Sequence, residues 1–192
     1  MDRSSEGRER FIAEGLRSYL KALLAVRAFQ QEVQSVALEV LQGCKAEIEK
    51  ALGVEIDEGN IEPYGPQELN NPKWSGSDAW LGAWLQSKDM PFKLHVGLWW
   101  SRRDLKEGEI RASVHIELYA KRMLDKLVNT FRNAGPRRHL SAFEGGAEFY
   151  QDLQSSDLAE CRVKLGELLD EWVCVWEKCG GLKRIMKRVK ET

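Results

Sequence analysis

The sequence predicts an α+β protein: an antiparallel sheet of three to four strands, packed by a long N-terminal helix or helix pair and by C-terminal helices. Three observations carry this. Helical periodicity runs almost to position 52, strict two-residue alternation occupies 92–118, and helical periodicity returns after 157. Strands segregated from helices argue for α+β rather than for an alternating parallel fold.

From Glu9 to Leu52, Ile12, Leu16, Tyr19, Leu23, Val26, Val33, Ala37, Val40, Cys44, Ile48 and Ala51 recur mostly at three- and four-residue steps. A single rod of this length would reach about 60 Å. The spacing therefore predicts either a break near the polar Gln30-Gln31-Glu32, the plainer expectation, or a projecting helix that pairs with another chain. Gly53 suits a left-handed helix end, with Val54 as the apolar residue beyond it.

Residues 57–78 hold three of the five prolines and no periodicity, which predicts a long loop. Such a loop is either connection or a functional insert. Trp80–Leu85 is apolar on both faces and reads as a central strand. In Phe92–Trp100, Phe92, Leu94, Val96, Leu98 and Trp100 alternate with Lys93, His95, Gly97 and Trp99. In Ile110–Tyr119, Ile110, Ala112, Val114, Ile116 and Leu118 alternate with Arg111, Ser113, His115, Glu117 and Tyr119. These two strands complete a meander over 80–118, each with one buried face.

A helix follows at Ala120–Asn133 with Met123, Leu124, Leu127, Val128 and Phe131 as its buried stripe, and Gly135-Pro136 ends it. Gly145-Gly146 introduces a possible fourth strand at Ala147–Leu153. Asp157 and Glu160 resemble a capping box before a helix that buries Leu158, Cys161, Leu165, Leu168, Leu169, Trp172 and Trp176. Gly180-Gly181 stops it, and Leu182–Lys190 forms a last short helix with a basic face. The whole is expected as one domain: an 8–52 helical segment, the 57–78 loop, a 79–153 sheet with an inserted helix, and 157–190 helices.

At 192 residues, roughly 70% of the unfolded surface can be buried, so no disulfide or metal staple is needed. Lys and Arg number 29 against 30 Asp and Glu, so the overall field does not draw the chain to nucleic acid or to an anionic membrane. No apolar run is long enough to span a bilayer, and the start MDRSSEGRERF lacks the apolar core of a signal peptide. Cytoplasmic placement with reduced thiols is the expectation.

The polar side of the hairpin is the candidate working surface. If 92–100 and 110–118 pair symmetrically about Leu105, His95 faces His115, Lys93 faces Glu117, Gly97 faces Ser113 and Trp99 faces Arg111. Lys93–Glu117 would be an ion pair and Trp99–Arg111 a cation–π stack. A two-residue slip would keep the faces and lose these pairs.

Two adjacent imidazoles could hold a metal with Glu117 or a loop acid as third ligand, or move protons. The plainer expectation is that helices cover this face and that both histidines are hydrogen-bonded packing residues. Trp99 beside Arg111 and two histidines also has the chemistry of an interface hot spot or a ligand platform.

Cys174 and Cys179 are spaced unlike a zinc knuckle and, with Cys161, read as core thiols. Arg132, Arg137, Arg138 and His139, together with the basic C-terminal helix, could meet phosphates; a solvated face is the alternative. Glycine-rich nucleotide loops and nucleophile elbows are absent from the sequence, and no acid–x–Lys nuclease pair sits on an expected strand.

The expectation is therefore a non-catalytic binding or protein-interaction protein without cofactor or metal. Its partner would be another protein or a second copy, with nucleic acid possible but not favoured. Lys93, His95, Trp99, Arg111, His115 and Glu117 are the binding residues. The alternative is an enzyme or nucleic-acid-processing factor built on His95, His115 and Glu117.

Overall fold

A computed structural model describes residues 3–65, 78–101, 109–120, 123–143, 145–154 and 159–191. The chain divides into two units, Met1–Glu32 and Val33–Thr192.

The first unit consists of helix only, the N-terminal part of α1 (Arg3–Gly43). Its apolar row stands in solvent: Phe11, Ile12, Leu16, Tyr19, Leu20, Leu24 and Val26 are all exposed.

In the second unit α1 ends at Gly43 and α2 (Lys45–Leu52) follows at once. The interruption thus falls at Gly43–Cys44, and helix continues through Gln30-Gln31-Glu32. Polarity does not break a helix; Gln and Glu propagate it well, whereas Gly costs it backbone entropy. Val33, Ala37, Val40, Leu41, Ile48, Ala51 and Leu52 are buried. Gly53 takes the left-handed cap as expected (φ 69°), its N–H donating to Glu49 O at 2.7 Å.

The sheet has six strands, all antiparallel: β1 (Ile61–Tyr64), β2 (Asp78–Leu85), β3 (Phe92–Ser101), β4 (Glu109–Leu118), β5 (Ser141–Phe143) and β6 (Gly146–Gln154), in the order β1-β2-β3-β4-β6-β5. The expected count of three to four is exceeded by the two short edge strands. Neither has an alternating pattern to reveal it, and both form only because a neighbouring strand presents unpaired N–H and C=O groups. Pro63 in β1 is tolerated because an edge strand pairs on one side only.

β1 also corrects the reading of 57–78 as loop throughout. Asp57 N–H donates to Asn60 Oδ1 at 2.9 Å around a single 3-10 turn, and the strand starts directly after it. Positions 66–77 lie outside the described residues.

Helix α3 (Leu124–Asn133) crosses between β4 and the β5–β6 hairpin. It buries Leu127, Val128 and Phe131, while Met123 and Leu124 at its start stay partly exposed. Helix α4 (Cys161–Cys179) buries Cys161, Leu165, Leu168, Leu169, Trp172, Val175, Trp176 and Cys179, a stripe at helical spacing. Asp157 and Leu158 lie outside the described residues, and Glu160 at the N-cap makes no side-chain capping hydrogen bond. Gly180 and Gly181 both take positive φ (83° and 81°), closing α4 and opening α5 (Leu182–Glu191). A side chain at Gly181 would press on the Leu52 carbonyl, so this turn also seats α2.

Within the second unit, α4 packs on one side of the sheet, against β3, β4 and β6, and α2, α3 and α5 pack on α4. Leu94, Val96, Leu98, Ala112, Val114, Ile116, Ala147 and Phe149 are fully buried beneath α4 and its neighbours. Trp172 lies at the centre, 4.6 Å from the Phe149 ring and 5.4 Å from Phe131, with its indole N–H donating to Val114 O at 2.8 Å. Glu171 is 2% exposed and accepts from Arg137 through both backbone and guanidinium, which ties the 136–139 loop to α4.

Candidate functional site

Alternation puts the other set of side chains on the opposite side of the sheet, and no described helix packs there. The cross-strand partners are His95 with His115, Lys93 with Glu117, Gly97 with Ser113, and Trp99 with Arg111, which is the register symmetric about Leu105. Neighbouring strands extend the rows. Trp80, Trp99, Arg111 and Asp152 form one row across β2-β3-β4-β6; Gly82, Gly97, Ser113 and Tyr150 form the next; Trp84, His95, His115 and Glu148 form the third.

The middle row shapes the surface. Gly82 and Gly97 face each other, and a Cβ on either would run into the backbone of the opposite strand. Two rows of large rings are therefore separated by a trough. Trp80 reaches across it until its ring lies 5.0 Å from both His95 and His115. At the far edge a side chain on Gly146 would collide with the Phe143 ring, so that glycine seats Phe143 against His115, at 5.4 Å and 86°.

The two imidazoles stack, with centroids 4.4 Å apart and planes 9° apart. Tyr64 from β1 stands at right angles to His95 (5.8 Å, 89°) and also contacts Trp80 and Trp84. The result is a cavity of about 470 Å³ lined by Tyr64, Trp80, His95, Trp99, Arg111, His115, Phe143, Glu117 and Glu148.

Charges surround it in an ordered way. Arg111 lies over Trp99 (5.0 Å) and Tyr150 (4.0 Å), as its pairing with Trp99 implies, and is held by Asp152 (3.2 Å) and Glu148 (3.7 Å). Lys93 does not follow the expected ion pair with Glu117. Its ammonium sits 4.1 Å over the Trp84 ring, and Glu117 Oε2 instead approaches His95 Nε2 at 3.2 Å. That approach has ion-pair distance but lacks the alignment of a hydrogen bond, so both ring nitrogens of His95 are buried without a hydrogen-bond partner among the described residues. The same holds for the Trp80 indole N–H. Ser113 donates to Glu148 at 2.9 Å, and the Trp84 indole N–H donates to Glu62 at 3.3 Å.

Burial lowers the His95 pKa to about 4, with Lys93 adding to the shift and Glu117 opposing it. His115 is held well below the usual imidazole range by burial and then by His95. Both rings are neutral at pH 7.

What the arrangement can do follows from this geometry. A metal ion needs in-plane lone pairs that converge at about 2 Å. Two stacked, near-parallel rings send theirs in planes that do not meet. No cluster of three metal-ligating side chains occurs among the described residues either. For acid–base work, His95 is nearly sealed at 4% exposure and titrates far below neutrality, while Ser113 is fully buried and committed to Glu148.

All six residues singled out from sequence, Lys93, His95, Trp99, Arg111, His115 and Glu117, share this face. Helices cover the other one, contrary to the plainer expectation. Reading the hairpin alone overlooked Tyr64, Trp80, Trp84, Phe143, Glu148, Tyr150 and Asp152. Parity along β2 and β6 carries a signal for the two tryptophans and for Glu148, Tyr150 and Asp152. Tyr64 and Phe143, on short edge strands, carry none.

Cys161 and Cys179 are buried with pKa raised by burial, to about 11 for Cys161. Arg137 and Arg138 pair with Glu171 and Glu167 at 3.1 and 3.2 Å, which removes much of their attraction for phosphate. Among the described residues, no helix is long and apolar enough to cross a membrane. Comparison of the chain with protein-family models, with curated proteins and with solved structures found no significant match.

Proposed function

We propose that this is a non-catalytic binding protein whose ligand docks in the aromatic cavity on the helix-free face of the sheet. One observation carries the reading: a cavity of about 470 Å³ walled by rings and holding buried, unpartnered polar atoms on His95 and Trp80. Its volume is that of a small-molecule site, roughly 300–1,000 Å³. A ligand that fills the cavity covers its ring faces, and each Å² of apolar surface so removed from water contributes about 25 cal/mol. Trp99, Arg111 and Glu117 line the cavity together with His95, His115 and Trp80, and Lys93 stands beside it on the Trp84 ring.

The test is a fragment screen by ligand-observed NMR, comparing wild type with a His115→Ala/Trp99→Ala variant of equal stability. Fragments that bind wild type and not the variant support the reading. A face that binds no fragment but captures a protein from host lysate, lost in the same variant, overturns it in favour of a protein interface.

A second reading concerns the N-terminal unit. From Ile12 through Leu16, Tyr19 and Leu23 to Val26 the steps are 4, 3, 4 and 3, the 3.5-residue period of a coiled-coil seam. These residues are largely exposed, and an isolated helix is marginal in water. Pairing with a second copy of the chain through this seam is the self-association that the pattern favours. Sedimentation velocity on wild type and on Leu16→Asp/Val26→Asp tests it; a monomeric wild type removes it.

A further inference from the structure

We infer that the cavity receives an alkylated ammonium group, such as a trimethylammonium head. This deepens the binding reading above and rests on it.

The surface already holds cations on ring faces. Lys93 occupies Trp84, and Arg111 occupies Trp99 and Tyr150. The inner rings Tyr64, Trp80 and Phe143 carry no such cation among the described residues, yet they have the same electron-rich faces. Around them stand the carboxylates of Glu62, Glu117, Glu148 and Asp152 against the cations of Lys93 and Arg111, and the two histidines are neutral at pH 7. Among the described residues, these groups are net acidic by two charges.

The alternatives fit less well. An anion would need a cation free within the cavity; Arg111 is engaged by two carboxylates, and Lys93 sits on the Trp84 ring, outside the cavity lining. A flat aromatic ligand would need a slot between parallel rings. The rings here that lie near-parallel, His95 and His115, are already in contact; Tyr64 and Trp84 meet at 34° but also touch, at 5.3 Å, and the others meet at 53° to 89°. Those angles enclose a box, which suits a rounded group. A primary ammonium is strongly hydrated and asks for three acceptors at once. Methyl groups replace that demand with contact against ring faces, which is how quaternary ammonium ligands are held in aromatic cages. The unpartnered Trp80 N–H further suits a ligand with an oxygen acceptor near the cation.

The same head group occurs on free small molecules and on trimethylated lysine. The experiment separates these sources. Tetramethylammonium, choline and a trimethyl-lysine peptide with its unmodified control are titrated while the His95 and His115 ring-proton NMR signals and tryptophan fluorescence are followed. Sodium chloride, acetate, inorganic phosphate and adenine at equal ionic strength complete the set.

Saturable shifts are expected with the alkylammonium probes and not with sodium chloride, acetate, phosphate or adenine. Glu117→Gln, which preserves shape, should weaken binding about tenfold, and Trp80→Leu should weaken it at least as much. If the Trp80 variant fails to fold, Glu117→Gln alone decides. Preference for the peptide over choline assigns the head group to a protein; the reverse assigns it to a small molecule. Should adenine or another non-cationic probe shift both histidines while every alkylammonium fails, the ligand class is wrong and the binding cavity stands. Should no probe of any class shift them, both are wrong.

Discussion

The two faces of the sheet are built from the same strands and obey opposite rules. On the helix side, large apolar side chains pack against one another without a cavity of ring walls; the Trp172 indole N–H is satisfied by Val114 O, while that of the neighbouring Trp176 has no partner among the described residues. On the other side, equally large rings meet at steep angles around a cavity, histidine nitrogens are left unpartnered, and charges crowd the rim. The difference separates stability from function. Close packing fixes the fold, and a face that stops short of close packing is left for something else to fill. The six sheet residues read from sequence as a binding surface all lie on the second face.

Substitutions should expose this division. The largest effect is expected at Trp172→Ala, which removes a fully buried ring and leaves Val114 O without its donor. It should lower the unfolding free energy by about 3–5 kcal/mol in urea titrations without altering any property specific to the cavity. A loss below about 1 kcal/mol would mean that the helix face is not the folding core.

Next is the glycine trough. Gly97→Ala forces β2 and β3 apart and should cost on the order of 1–3 kcal/mol. Unlike Trp172→Ala, it should also displace Trp80 from the histidines, read as a change in its fluorescence and in the His95 and His115 ring-proton shifts. Destabilisation without that change would show that the trough does not position Trp80.

The third effect is in pH. The folded-state pKa of His95 lies near 4, below its unfolded value of about 6.5, so the unfolded chain binds the extra proton first. Stability is then fully present above the unfolded pKa and falls as pH drops from about 6.5 toward 4, by about 2 kcal/mol between pH 7 and pH 5 for His95 alone. His115 is shifted in the same direction and adds to the slope. Melting temperatures should therefore fall over this interval in wild type and markedly less in His95→Gln/His115→Gln. Equal slopes in the two proteins would place the acid sensitivity elsewhere.

Much of this could be read from residue order, for a physical reason. Strand parity is local, so the alternation of Lys93, His95, Gly97 and Trp99 with their apolar neighbours, and of Arg111, Ser113, His115 and Glu117 with theirs, separates the two faces before any tertiary contact is known. Register followed from chemical sense across the hairpin, and the stripes of α3 and α4 from helical periodicity. What could not be read was long-range. Tyr64 and Phe143 reach the cavity from edge strands of four and three residues, which form only against a neighbour already in place. The helix break at Gly43 rather than at Gln30–Glu32 turned on backbone propensity, a local signal that polarity obscured.

By itself, then, the sequence determined the α+β class, the meander and its pairing, and which side chains share a face, because each depends on periodicities of two or 3.6 residues. Only the tertiary structure decided which face the helices take. It alone also decided where Lys93 and Glu117 turn, that the two imidazoles stack out of reach of a common metal, and that the rings close around a cavity. Those outcomes depend on which side chains fill which space, and that competition is settled only when all the strands are assembled.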